Sequence, residues 1–202
     1  MSDADAIDLA LLLLRCALGG VMLAHGINHI VGGGKIAGTG RWFESLGMRP
    51  GWLHAWLASL TEIGAGVLLV LGLFTPLGAA GAVGVMVVAW ITNHLRNGFF
   101  IFRKGEGWEY VMTLTVVGIA VGTVGPGTWS LDEAFDLRDD LVGTTGLLVT
   151  AIAGIGGALL LLAGFWRPAR PARRGDRRAG PGADRAARRG RDLPSLQAWS
   201  PS

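Results

Sequence analysis

The chain has 202 residues, of which half are hydrophobic and only 16% are charged, with a formal net charge of +3 and one cysteine. Soluble domains usually carry about 25% charged residues, so the composition argues against an ordinary soluble domain. A single cysteine excludes an intramolecular disulfide, and the chain alone therefore cannot perform thiol–disulfide exchange.

Five apolar runs predict membrane-spanning helices. A helix needs about 20 mostly apolar residues to cross roughly 30 Å of hydrocarbon. Runs near that length occupy residues 7–31, 52–74, 77–102, 108–124 and 141–166. In the third run the polar residues from Asn93 to Arg96 indicate that the buried part ends near Ile91. The sequence therefore predicts an all-α integral membrane helical bundle.

The connection between the first two spans, residues 32–51, is rich in glycine. Trp42, Phe43 and Leu46 share one helical face within it, which predicts a short helix at the membrane interface. No Gly-Lys-Ser/Thr sequence follows these glycines, so the connection lacks the signature of a phosphate-binding loop.

Two further connections carry helix-start signals. Thr75 followed by Pro76 is typical of an N-cap and the first helical position, here at the start of the third span. Ser130, with Glu133 three residues later, has the capping-box pattern and predicts a short helix between the fourth and fifth spans.

The positions of lysine and arginine predict an orientation. Their counts are none before the first span, three in residues 32–51, none at residues 75–76, three after the third span, one in residues 125–140 and ten in residues 167–202. High and low counts alternate across five spans. Because basic residues favour the cytoplasmic side, the N-terminus is predicted outside and the C-terminal tail inside.

The chain divides into three predicted parts: a four-helix membrane domain with its outer loop at residues 1–140, an additional transmembrane helix at residues 141–166, and an arginine-rich tail at residues 167–202. The tail is too polar to bury a core and is predicted to be disordered. Beside a hydrophobic helix, its charge indicates anionic lipid or an acidic redox protein as partner, and no nucleic acid. The high content of Gly, Ala and Arg fits a high-GC bacterium, so we expect the bacterial plasma membrane.

Arg15 and Glu62 lie inside predicted spans, where a charge is expensive and marks a functional site by default. At about 1.5 Å per residue, each lies about 12–15 Å from the start of its helix, near the midplane. Adjacent antiparallel helices would bring the two side chains level, which predicts an Arg15–Glu62 ion pair. Such a pair could merely fix the register of the two helices, or it could belong to a polar pocket that binds or protonates a ligand.

More polar side chains are expected around that pair. His25 and His29 are four residues apart and share a face of the first helix. The candidate pocket comprises Arg15, His25, His29, Glu62, Asn93, His94 and Glu109. Alternatively, His29, His94 and Glu109 could be solvated in the headgroup region.

The four histidines allow limited cofactor chemistry. A bis-histidine haem needs ligands on facing helices, which His25 or His29 with His94 could supply. No repeated pairing is visible, and the sequence requires neither haem nor a metal. His54, near the start of the second span, is expected at the interface. A quinone could be held by the same polar groups.

A series of short motifs resembles the DoxX family of small membrane proteins over residues 9–135. The motifs are Arg15 in the first helix, His25-Gly26, Trp42-Phe43 with Leu46-Gly47, Glu62-Ile63-Gly64, Gly72-Leu73-Phe74-Thr75, Gly107-Trp108-Glu109-Tyr110, Gly125-Pro126-Gly127 and Ser130-Leu131-Asp132. The resemblance implies a four-helix core, with the fifth helix and the tail outside it. It also implies a redox association, because some family members are linked to thiosulfate:quinone oxidoreductase and others to membrane thiol defence.

Three functions remain open from the sequence. The first is a redox-associated membrane protein that binds a quinone-like amphiphile or serves as the membrane partner of a thiol or sulfur oxidoreductase system. The second is a non-enzymatic scaffold or assembly partner. The third, a small-solute or proton transporter, has less support because inverted repeats and broken helices are expected there and no internal repeat is visible.

Overall fold

A computed structural model of the chain describes residues 1–168. Its α-helices are α1 (Asp3–Val31), α2 (Lys35–Ser45), α3 (Gly51–Leu71), α4 (Thr75–Ala89), α5 (Glu109–Val124), α6 (Leu131–Ala134), α7 (Arg138–Leu141), α8 (Gly143–Val149) and α9 (Gly157–Phe165). Two π-helical segments extend them, because Trp90–His94 continues α4 and Thr150–Gly156 joins α8 to α9. The described residues contain no β-strand beyond a single bridge between Met48 and Trp166.

Four continuous helices are long and apolar enough to cross a membrane, namely Asp3–Val31, Gly51–Leu71, Thr75–His94 and Gly143–Phe165. The remaining apolar helix, α5, has 16 residues. The described residues therefore contain five apolar helices, and the prediction of an all-α membrane bundle is confirmed. The additional helix predicted at residues 141–166 is Gly143–Phe165, the last of the five along the chain. The predicted disordered tail, apart from its first two residues, lies outside the described residues.

The helices pack as a bundle in the order in which they follow along the chain. α1 packs against α3, α3 against α4 and α4 against α5, while α5 also contacts α1. The fifth apolar helix, built from α8, its π-helical segment and α9, packs mainly on α4. Small residues allow the closest approaches, as is common between helices in lipid. At the α1–α3 crossing, a Cβ on Gly19 would lie 2.8 Å from the carbonyl oxygen of Gly66.

The connections gather at two opposite ends of the bundle. At the N-terminal end, the carboxylate of Asp8 accepts hydrogen bonds from the backbone and the hydroxyl of Thr128. At the other end, called the α2 end, the indole of Trp166 donates to the carbonyl oxygen of Leu46 at 3.0 Å. The first connection and the end of the fifth helix therefore share one end, as an odd number of crossings requires.

The start of α4 differs from the predicted cap. The N-cap is Phe74, in a left-handed conformation with φ 44°, while Thr75 is already helical and Pro76 occupies the first turn. The carboxylate of Asp132 supplies the cap from a distant segment, because it accepts hydrogen bonds from the backbone nitrogens of Phe74 (2.7 Å) and Thr75 (2.9 Å). The predicted start at Ser130 is confirmed, since its hydroxyl accepts a hydrogen bond from the backbone of Glu133.

A cavity with buried polar groups as candidate functional site

The predicted Arg15–Glu62 ion pair is wrong. Among the described residues, Glu62 instead faces His29, with 3.1 Å between Oε2 of Glu62 and Nδ1 of His29. The register of α1 against α3 explains the error. Counting from the Gly19–Gly66 crossing, residue 62 lies opposite residue 23, eight residues from Arg15 and about 12 Å along the axis. The depth estimate, which counted from the starts of the two apolar runs, failed because the Gly19–Gly66 contact sets a different register.

Arg15 lies at the N-terminal end and ties three segments together. Its guanidinium donates hydrogen bonds to the carbonyl oxygens of Leu69 and Val70 at the end of α3, and to that of Trp129. The last carbonyls of a helix lack partners within the helix and carry partial negative charge, so a buried cation is favourable there. Gly72 is required at this point, because its φ is +62° and a Cβ would lie 3.0 Å from the Arg15 guanidinium.

A cavity of about 660 Å³ runs along the bundle, from Leu77 at the start of α4 to His94 at the end of its π-helical extension. Five of the seven candidate residues line it, namely His25, His29, Glu62, Asn93 and His94, whereas Arg15 and Glu109 do not. The structure therefore brings most of the predicted cluster together, but without its predicted cation. Lining residues that the sequence reasoning missed include His54, Glu106 and Tyr110.

Glu62 is the buried charged group of this cavity, with 3% of its side chain exposed. Gly26 makes room for it, since a Cβ on Gly26 would meet Ser59 O at 2.9 Å and Glu62 Cβ at 3.0 Å. Although Oε2 of Glu62 is close to His29, neither that oxygen nor Nδ1 of His29 has hydrogen-bond geometry with any described group. The pair is therefore an electrostatic contact whose hydrogen-bonding capacity is unused.

Asn93 and His94 occupy the π-helical turn at the α2 end of α4. His94 Nδ1 lies 2.8 Å from the carbonyl oxygen of Glu106, and its Nε2 lies 3.2 Å from the amide nitrogen of Asn93. Because the carbonyl accepts and the amide donates, these contacts fit a neutral imidazole that carries its proton on Nδ1. Both ring nitrogens are thus occupied, and the Nδ1 contact holds the connection between α4 and α5.

Two candidates at the edges of the cluster have different surroundings. His25 is exposed and lies beside Tyr110, with 6.5 Å between the ring centroids, so both line an open side of the cavity. Glu109 accepts a hydrogen bond from the backbone of Ile101 at 3.0 Å. Its prediction as a cavity residue is wrong, because its carboxylate turns back to hold the preceding connection.

His54, expected at the membrane interface, lies in the first turn of α3 and is buried inside the bundle. The residue is 2% exposed, and its ring lies beside the backbone of Arg49 without full hydrogen-bond geometry at either nitrogen. Its ring lies between those of Phe43 and Phe165, with centroid distances of 6.2 and 5.2 Å. The burial depends on α2 and α9 closing over the start of α3, which a hydropathy pattern does not reveal.

The arrangement suits a small organic ligand better than a metal or haem. No three His, Cys, Asp or Glu side chains within residues 1–168 come together as a metal site. The proposed bis-histidine haem pair would need His94, whose ring nitrogens are both engaged. Largely apolar walls with a few convergent polar groups are typical of small-molecule sites.

Fold and cavity together define a small multi-pass integral membrane protein with a polar site inside its helical bundle. The chain belongs to the DoxX family. The DoxX family model matches residues 10–95, a shorter stretch than the sequence motifs suggested. An uncharacterized membrane protein of Mycobacterium tuberculosis, Rv3486, is 30% identical over 142 residues, which cover 66% of this chain and 86% of that protein. No solved structure matches the chain.

Proposed function

We propose that this DoxX-family protein is redox-associated and binds a quinone-like amphiphile, with the polar head at Glu62 and His29. The observation that carries the proposal is the Glu62 carboxylate, which is 3% exposed and whose Oε2 has no hydrogen bond. Buried polar groups in native proteins are nearly always hydrogen-bonded, and ionisable groups within a membrane mark functional sites by default. A ligand hydroxyl would supply the missing partner.

The polar groups of the cavity complement both redox forms of a quinone. A quinol hydroxyl donates a hydrogen bond, which the Glu62 carboxylate can accept. A quinone carbonyl accepts one, which the hydroxyl of Tyr110 at the cavity edge can donate. The volume of about 660 Å³ falls within the usual range for small-molecule sites, roughly 300–1,000 Å³.

Reduction of the quinone to the quinol takes up two electrons and two protons. The chain has a single cysteine, Cys16, so it cannot supply the electrons through a disulfide of its own. We therefore assign the electron donor to a thiol or sulfur oxidoreductase system for which this protein is the membrane partner. The arginine-rich segment after the fifth helix would hold that donor, or anionic lipid, at the membrane surface.

The proposed setting is the bacterial plasma membrane, with the N-terminus outside. Basic residues concentrate in the connections of the α2 end, which supports a cytoplasmic position for that end. In a Cys16→Ala background, cysteines introduced at Ser2 and Ser45 test the orientation. We expect a membrane-impermeant thiol reagent added to intact cells to label position 2 and to spare position 45, and the reverse pattern would overturn the orientation.

Replacement of Glu62 by glutamine tests the site itself. The variant keeps the shape but removes the charge, so quinol affinity should fall by about tenfold or more, the value of one hydrogen bond to a charged group. Binding is measured by titrating the full-length protein in detergent with a quinone in its oxidised and its reduced form, following the tryptophan fluorescence. Trp42 lines the cavity and serves as the reporter.

The matched control is Glu133→Gln, because Glu133 is exposed and pairs with Arg138 at 2.8 Å on the surface. This control should leave quinol affinity within about twofold of the parent chain, since exposed pairs contribute little. Equal affinities in the Glu62→Gln variant and the parent chain would refute the proposed head-group site.

The alternative function, a non-enzymatic scaffold, predicts a different result for the same variant. If the Glu62–His29 contact only holds α1 against α3, Glu62→Gln should lower the thermal unfolding midpoint without any quinone binding in the parent chain. A parent chain that binds neither redox form would therefore favour the scaffold.

A further inference from the structure

The cavity is much longer than a polar head group requires. Beyond Glu62 it continues as a groove between α3 and the fifth helix, with α4 as its floor. This α3–α9 groove is lined by Leu60, Gly64, Leu77, Gly84, Gly157 and Leu161. From Leu77 to Thr92, both of which line the cavity, α4 advances by fifteen residues or about 22 Å. Such a length spans most of the roughly 30 Å hydrocarbon layer.

Two glycines hold the groove open on opposite walls. Gly64 on α3 and Gly157 on α9 both line the cavity, and a Cβ at either position would meet no atom within 4 Å. In the described structure, neither glycine is needed for two helices to approach each other. Gly84 differs, because a Cβ there would lie 3.2 Å from the carbonyl oxygen of Gly154. Larger residues would fit the helices at positions 64 and 157 but would fill the groove.

A polar atom without a hydrogen bond lies in the same cavity and indicates that it takes a ligand. It is Oε2 of Glu62, on a side chain that is 3% exposed. Leu60 and Leu77, by contrast, are 60% and 53% exposed where the groove opens toward the lipid side. The cavity thus joins a buried polar group to an apolar channel, and this channel opens toward the acyl chains of the surrounding lipid.

We propose that the fifth helix forms part of the ligand site and that the ligand is an amphiphile with a long apolar chain, which lies in the α3–α9 groove. This inference rests on the proposed head-group site at Glu62 and extends it to the substrate class. The cavity is continuous, because both open glycines line the same cavity as Glu62. Gly157 determines specificity by leaving room for the chain.

Paired quinols that differ only in chain length test the inference. The parent chain should bind the long-chain quinol several-fold more tightly than the short-chain one at equal concentrations in the detergent phase, because the longer chain packs against the groove walls. Gly157→Leu should remove this preference and leave the affinity for the short-chain quinol within about twofold. Gly64→Leu fills the opposite wall and should give the same result.

Gly156→Leu is the matched control, because a Cβ at Gly156 also meets no atom within 4 Å while the residue does not line the cavity. It should keep the full preference for the long chain. Equal binding of both chain lengths by the parent chain, or a preference that Gly157→Leu leaves intact, would overturn the role of the fifth helix. In either case a loss of binding in Glu62→Gln would still support the head-group site, so the two proposals fail separately.

Discussion

Arg15 and Glu62 are both buried ionisable residues on neighbouring helices, and their surroundings differ in one decisive respect. Arg15 donates three hydrogen bonds to backbone carbonyls, although its Nε has no partner among the described residues. Glu62 has a close histidine but no hydrogen bond at Oε2, and it opens on a cavity. A buried charge in a membrane helix can thus hold the structure together or await a ligand, and the two residues differ in that Glu62 lines the cavity whereas Arg15 binds three carbonyl oxygens.

The same contrast holds for the residues around each group. Near Arg15, Asp132 is fully buried, and both of its oxygens accept hydrogen bonds at the start of α4. His54, which lines the same cavity as Glu62, is similarly buried but lacks full hydrogen-bond geometry at either nitrogen. Variants at the two clusters should therefore separate stability from binding.

The largest expected effect is on stability, at the N-terminal end. Arg15→Gln removes a cation that serves three carbonyl oxygens, so the free energy of unfolding should fall by about 3–5 kcal/mol. The measurement is thermal unfolding in detergent, together with quinol affinity of the folded fraction, which should remain that of the parent chain.

Arg138→Gln is the comparison for that variant, because Arg138 forms ion pairs with Glu133 and Asp139 on the surface of the same end. Exposed pairs are worth at most about 1 kcal/mol, so little change is expected. Similar losses in the two variants would contradict the structural role assigned to the buried guanidinium.

A smaller effect is expected where α1 packs beside the cavity. Gly26→Ala places a Cβ 2.8 Å from Ile63 and 3.0 Å from the Cβ of Glu62, and such overpacking typically costs about 1–3 kcal/mol. Because the clash displaces Glu62, quinol affinity should fall together with the unfolding midpoint.

Gly20→Ala is the control. Its Cβ meets no atom within 4 Å, so neither quantity should change appreciably. A Gly26→Ala variant with unchanged affinity would show that the position of Glu62 tolerates the shift.

Much of the cavity could be anticipated from residue type and depth. His25, His29, Glu62, Asn93 and His94 were expected to converge, and all five line the cavity, because polar side chains in apolar helices turn toward one another. His54 could not be found in this way. Its burial requires Phe43 of α2 and Phe165 of α9 to meet over it, although these residues are far apart in the sequence.

The sequence by itself determined the class of fold, because crossing a membrane is a local property of length and hydropathy that each helix satisfies independently. It also indicated the family through short motifs in a fixed order. Only the tertiary structure decided which buried groups are partners. The α1–α3 register depends on the Gly19–Gly66 contact, and the cap of α4 depends on Asp132, which is 58 residues beyond Phe74. Such pairings arise from packing between distant segments, which no local pattern records.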